Sequence, residues 1–176
     1  TESAPLIFNN HELRTLASIY DLVVYLVYSG ETFLHMLCDA MAILNLDSIF
    51  RSFILSGCDG STKEAYRLTN SILALICAIL QNLPENSKLI ENVILHETIE
   101  LTVLLQHQNE KVRLRAFSML RLLGRFCCFS LQNRWDSNLS SLIHNKMAMD
   151  DNEDVKKEAQ SIVEEFKHFG WFKKIQ

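Results

Sequence analysis

The stretch Asn86–Arg125 reads N-S-K-L-I-E-N-V-I-L-H-E-T-I-E-L-T-V-L-L-Q-H-Q-N-E-K-V-R-L-R-A-F-S-M-L-R-L-L-G-R. Lys88–Val93 predicts a short helix and Glu97–Leu105 a second. Gln106–Glu110 is a polar break, and Lys111–Phe129 predicts a long third helix. On that helix Val112, Ala116, Met119 and Leu123 follow by steps of four, three and four, which places them on one face. A helix with one apolar face cannot bury it alone and needs a neighbour.

The same face recurs on both sides. Shifted forward by 43 residues it becomes Val155, Ala159, Ile162 and Phe166; shifted back by 51 it becomes Ser61, Ala65, Leu68 and Ile72. A small alanine recurs where two helices approach closely, with larger apolar residues further along. Helices related in this way stack in order, each covering the next.

Composition agrees with helices throughout. The chain has 176 residues, 48% of them hydrophobic and 22% charged, with 5 Gly and 2 Pro. A sandwich or barrel needs more turn residues than that, and so do Gly-rich phosphate loops. Towards the N-terminus the pattern predicts helices over Leu13–Tyr28, Thr32–Leu44 and Leu46–Leu55. A loop over Ser56–Ser61 and a helix over Thr62–Leu83 follow, the last with a capping box from Ser61 and Glu64. Towards the C-terminus come Arg134–Met147 and Val155–Phe169, the latter behind an acidic cap at Asp150–Asp154. The expected fold is all-α, about nine helices in one domain over 1–176, with clearer repeats over 61–169 than over 1–60.

The five cysteines (Cys38, Cys58, Cys77, Cys127, Cys128) are odd in number and lack a C-x-x-C, which suits a reducing compartment. No signal peptide is expected, and the longest apolar run, Ile72–Leu80, is far short of the ~20 residues of a membrane span. The chain opens Thr1-Glu2-Ser3 without a methionine, which reads as a piece of a longer polypeptide. Net charge is -4 but unevenly laid out. Residues 1–60 hold seven acids against Arg14 and Arg51, whereas 110–134 hold six bases against Glu110.

The stretch Asn86–Arg125 resembles an armadillo repeat. Asn86, Lys88 and Ile90 match its first helix, Val103-Leu104-Leu105 the end of its second, and Val112-Arg113, Ala116 and Leu120 its third, behind the loop at Asn109. The pair Arg134–Met147 and Val155–Phe169 is similar to a two-helix HEAT or terminal armadillo unit. The resemblance implies a right-handed superhelix of roughly four repeats. Two kinds of parent carry such a region: Fused-type serine/threonine kinases, where it would bind signalling partners, and a meiotic recombination-associated adaptor. The chain departs from the family at Ile94-Leu95-His96-Glu97, where a Gly–Pro turn is usual. It departs again at Gly124, near the asparagine with which importin-type repeats grip an extended peptide.

Chemical motifs are few. His96-Glu97-Thr98-Ile99-Glu100 has Glu100 where a zinc protease needs its second histidine. His35 and Cys38 are the one pair at ligand spacing, and two groups make a poor metal site. Cys127-Cys128 follow Arg121 and Arg125, which would lower a thiolate pKa, but buried structural cysteine is the commoner role. No nucleophile elbow, phosphate loop or kinase motif is present. No cofactor or metal is expected.

Two surfaces remain. Lys111, Arg115, Arg121 and Arg125 gather along one side of the third helix. They read either as a solvated face or as a basic ridge that forks onto carboxylates of an acidic peptide. The second is aromatic: Tyr20, Tyr25 and Tyr28 with Phe8 in the base-poor N-terminal region, and at the other end Trp171 and Phe172 with Phe166 and Phe169, which read either as a terminal cap or as an aromatic docking patch. The function expected is therefore a non-catalytic protein-interaction module. It would be a regulatory or scaffolding part of a larger intracellular signalling protein, cytoplasmic or nuclear, binding an acidic or amphipathic segment away from membranes. Self-association through the aromatic ends is the alternative, and nucleic-acid backbone binding by 111–134 the third reading.

Overall fold

A computed structural model describes residues 6–59 and 62–172. Among them are ten α-helices, one 3-10 turn at Pro84–Asn86, and no strand. The chain divides into two compact units, Thr1–Ile99 and Glu100–Gln176.

The first unit comprises α1 (Asn10–Ser29), α2 (Glu31–Leu44), α3 (Asp47–Asp59), α4 (Lys63–Asn82) and α5 (Ser87–Ile94). Helix α1 begins at a capping box. The Asn9 side chain accepts from the Glu12 N–H at 2.9 Å, and Glu12 returns the bond to the Asn9 N–H at 2.8 Å. Helix α2 ends at Asn45, whose φ of 50° and ψ of 51° lie in the left-handed region that asparagine tolerates. Thr62 caps α4 by accepting from the Ala65 N–H; Ser61, the expected cap, lies outside the described residues.

Helix α4 is the centre of this unit. Every residue from Ser71 to Leu80 is buried, so the longest apolar run of the sequence is a core helix covered on all sides. Helices α1 and α3 pack against it. Asp21 of α1 accepts from the Ser71 hydroxyl at 2.7 Å and pairs with Arg67. Arg51 of α3 donates to Asp47 and, at 2.6 Å, to the Asn92 carbonyl of α5.

The loop expected over Ser56–Ser61 is instead helical as far as Asp59. Gly57 sits inside that helix because α3 and α4 touch there. A Cβ on Gly57 would lie 1.5 Å from the Thr69 Oγ1 and 3.0 Å from the Ala65 carbonyl oxygen. The glycine answers to a close approach between helices, not to a turn.

The second unit comprises α6 (Leu101–Leu105), α7 (Glu110–Phe126), α8 (Cys128–Asn133), α9 (Ser137–Met149) and α10 (Glu153–Phe166). Its three long helices start at side-chain caps on Asn109, Asp136 and Asn152, each accepting from N–H groups of the first turn. Asn109-Glu110 and Asn152-Glu153 stand at the same 43-residue offset as the Val112 and Val155 faces. All four core positions on α7 and all four on α10 are buried, as are Ala65, Leu68 and Ile72 on α4. Helix α10 packs against both α7 and α9.

Two expected helices are shorter. The segment from His96 to Glu100 is a turn, since the His96 Nδ1 accepts from the Thr98 N–H and the Ile99 N–H bonds back to the His96 carbonyl. The helix expected to run to Phe129 breaks at buried Cys127, whose φ of -130° and ψ of 31° leave the helical region. No single helix among the described residues is long and apolar enough to cross a membrane. Helix α2 with Asp47–Cys58 has the length and composition only as a pair, bent by 106°.

Candidate functional site

The basic side of α7 faces α10, and that decides what its charges do. Helix α10 buries Val155, Ala159, Ile162 and Phe166 and carries Glu158 and Glu165 along the flank of that stripe. Arg121 Nη2 meets Glu158 Oε1 at 3.1 Å, and its Nη1 lies 3.6 Å from Glu165 Oε1. Arg125 grips Glu165 with two parallel bonds, Nε to Oε2 at 2.9 Å and Nη2 to Oε1 at 2.5 Å. That fork holds the Glu165 carboxyl below its ordinary range, with partial burial opposing, and raises the Arg125 guanidinium. Ser118 adds a 3.2 Å bond to Glu158. Two of the four ridge residues thus lock α7 to α10. Lys111 is exposed and Arg115 half-buried, and neither makes an ion pair among the described residues.

Arg113 projects from the other side of α7 and is buried. Its Nε and Nη2 reach the two Asp150 oxygens at 3.1 and 2.9 Å, and its Nη1 donates to the His107 and Gln108 carbonyls at 3.0 and 3.1 Å. Asp151 adds a bond at 2.5 Å. Burial alone would raise the Asp150 carboxyl. Bonds from Arg113, the Asn152 N–H and the Lys146 ammonium outweigh it and hold the group well below the usual carboxylate range. Of the acidic cap expected at Asp150–Asp154, the first two residues serve this arginine, while Glu153 and Asp154 occupy the first turn of α10.

Trp171 and Phe172 belong to a packed aromatic cluster. Trp135 contacts Trp171 at a centroid distance of 4.8 Å and Phe172 at 5.7 Å; Phe169 stacks on Trp171 at 5.1 Å. Trp135 is held in turn by a 2.7 Å bond from its Nε1 to the Ser140 hydroxyl. Phe172 is buried and Trp171 half-buried, so Phe172 offers no exposed docking face.

The other candidates separate. His35 is exposed while Cys38 is buried, its thiol pushed up to about 11 by burial, with Asp39 and Glu85 adding to the shift. No group of three or more His, Cys, Asp or Glu side chains suited to a metal occurs among the described residues. An open groove of about 430 Å³ lies between α6 and the start of α9. Glu100, Thr102, Gln106, Arg134 and Asp136 are among its lining residues, and no histidine or cysteine is.

The first unit carries a further exposed apolar surface, of which sequence reasoning picked out only the tyrosines. Ile19, Leu22, Tyr25 and Leu26 on α1 are exposed, as are Met36 and Ile43 on α2. Their signal was present, since both helices carry apolar residues among the polar ones on the side opposite their buried residues.

No family model matches the chain, and no solved structure does. Over 163 residues, 92% of the chain, it is 32% identical to the serine/threonine-protein kinase fused of Drosophila melanogaster. The match spans about 20% of that protein. Of the two kinds of parent, the Fused-type kinase is the one with which a sequence similarity is found.

Proposed function

Starting from that similarity to one fifth of a serine/threonine-protein kinase, we propose that this chain is a non-catalytic interaction module, the regulatory or scaffolding part of a larger intracellular signalling polypeptide. The observation that carries the reading is the pairing of this similarity with the absence of any phosphoryl-transfer motif. The chain holds no Gly-rich loop, H-R-D or D-F-G, and none of its described residues forms a strand. An armadillo/HEAT-like solenoid of roughly four repeats is part of the proposal. It is supported by the 43-residue offset, which joins cap, acid and core face of α7 to those of α10.

Lys111 and Arg115 are the ridge residues left to meet an acidic segment. The experiment compares affinity capture by the native chain and by Lys111→Glu/Arg115→Glu. The double variant is expected to keep its helical circular dichroism and to lose a captured protein about tenfold, in line with charge pairs at interfaces. Identical capture by both chains would remove the ridge. Self-association through the aromatic ends has less behind it, because Phe172 is buried. Nucleic-acid binding likewise has less, because Arg121 and Arg125 already face Glu158 and Glu165.

A further inference from the structure

Helix α1 turns Leu13, Ala17 and Val27 inward, and α2 does the same with Leu34, Cys38 and Met41. The opposite side of such a helix is ordinarily polar. Here it is not. At 100° per residue Leu22 stands directly across α1 from the core line, flanked by Ile19 and Leu26, and Leu22 is 58% exposed. On α2, Met36 and Ile43 are 62% and 77% exposed, with Asp39 between them at steps of three and four. Isolated exposed apolar residues mean nothing, but two adjoining helices that each repeat them on the face away from their own core are unpartnered surfaces.

The charge around these residues says what would cover them. Glu31 and Asp39 are exposed and make no ion pair among the described residues. The one Lys or Arg on either helix is Arg14, itself 3.7 Å from Glu64. We propose that the outward faces of α1 and α2 bind an amphipathic helix of a partner protein, apolar along one side and flanked by Lys or Arg. Apolar anchors at helical spacing would seat on Leu22 and Ile43, and basic flanks would meet Asp39 and Glu31. A second copy of the chain fits poorly, since pairing like faces would set these acids against each other with no base between them. An anionic membrane is repelled for the same reason.

This rests on the interaction role proposed above and gives it a surface and a partner charge opposite to that expected for the α7 ridge. The test titrates the whole chain against a fluorescein-labelled amphipathic helix of about 18 residues built from Leu and Lys, and against its Leu/Glu counterpart. The Leu/Lys helix should bind about tenfold or more tighter. Leu22→Ser and Ile43→Ser should each weaken it several-fold, and Asp39→Lys should weaken it while strengthening the Leu/Glu helix. Phe129→Ser, on an exposed residue of the second unit, should change nothing. Equal affinity for the two peptides, or indifference to Leu22→Ser and Ile43→Ser, overturns the proposal. So does a dimer in light scattering that Leu22→Ser dissolves, or uptake on phosphatidylcholine or phosphatidylserine vesicles that it abolishes. A chain that ignores the peptide yet still shows the capture difference of the ridge experiment refutes this face and leaves the interaction role standing.

Discussion

Arg113→Met should destabilise the second unit by about 3–5 kcal/mol, the range for removing one partner of a buried ion pair. The Asp150 side chain is 0% exposed and would lose its two-pronged partner, while the His107 and Gln108 carbonyls would lose a donor. Lys146, at 2.9 Å, keeps part of the carboxylate's stabilisation, which favours the lower half of that range. Both tryptophans of the chain, Trp135 and Trp171, belong to this unit, so urea unfolding followed by tryptophan fluorescence reads it selectively. The effect also has a pH signature. The Asp150 carboxyl is depressed in the folded chain and ordinary, about 3.9, in the unfolded one. Its stabilisation is complete above that value and is lost as pH falls from there towards the lower folded value, because the unfolded chain takes up the proton first. The difference between native chain and variant should therefore narrow below about pH 4. A constant gap from pH 7 to pH 3 would refute the role given to this pair.

Phe166→Ala should cost a similar amount, about 3–5 kcal/mol, by emptying the centre of the aromatic cluster. The ring is 1% exposed and lies within 6 Å of the Trp135, Phe169, Trp171 and Phe172 centroids. It also rests on Gly124. A Cβ there would come within 2.2 Å of the Phe166 Cε1. Gly124→Ala is accordingly expected to cost about 1–3 kcal/mol by overpacking. The double variant Gly124→Ala/Phe166→Leu should cost less than the sum of its single changes, since the two side chains compete for one space. Thermal melts of the single and double variants measure the coupling; strict additivity would mean that the two positions do not share that space.

Gly124 illustrates what the sequence alone could and could not say. As a departure from the armadillo pattern it was visible in the letters. Its cause, an aromatic ring 42 positions later, was not. Most helices were legible because α1, α4, α7 and α10 keep their apolar residues at steps of three and four, and because Asn, Asp and Thr mark their starts. Local competition escaped notice where it won: the His96 side chain bonding its own turn, and Gly57 holding a helix crossing in place of a loop. The partners of two ridge residues stayed hidden for a related reason. A helical wheel places Arg121 and Arg125 on the side with Lys111, but it contains no α10, and only packing brings Glu158 and Glu165 across to two of the four. The same wheel sets Arg113 apart without showing that Asp150 waits there.

The burial of α4 on every side has a consequence for motion. From Ser71 to Leu80 each amide sits under side chains that water cannot reach, so no fraying at a helix end exposes them. Their hydrogen exchange must pass through opening of the whole first unit, and its rate reports that unit's global stability. Helix α6, five residues long, can exchange by local unwinding, within a hydrogen-bonded turn that needs no cooperative event. A slow clock on α4 and a faster one on α6 thus sit on helices that the letters describe in the same apolar terms.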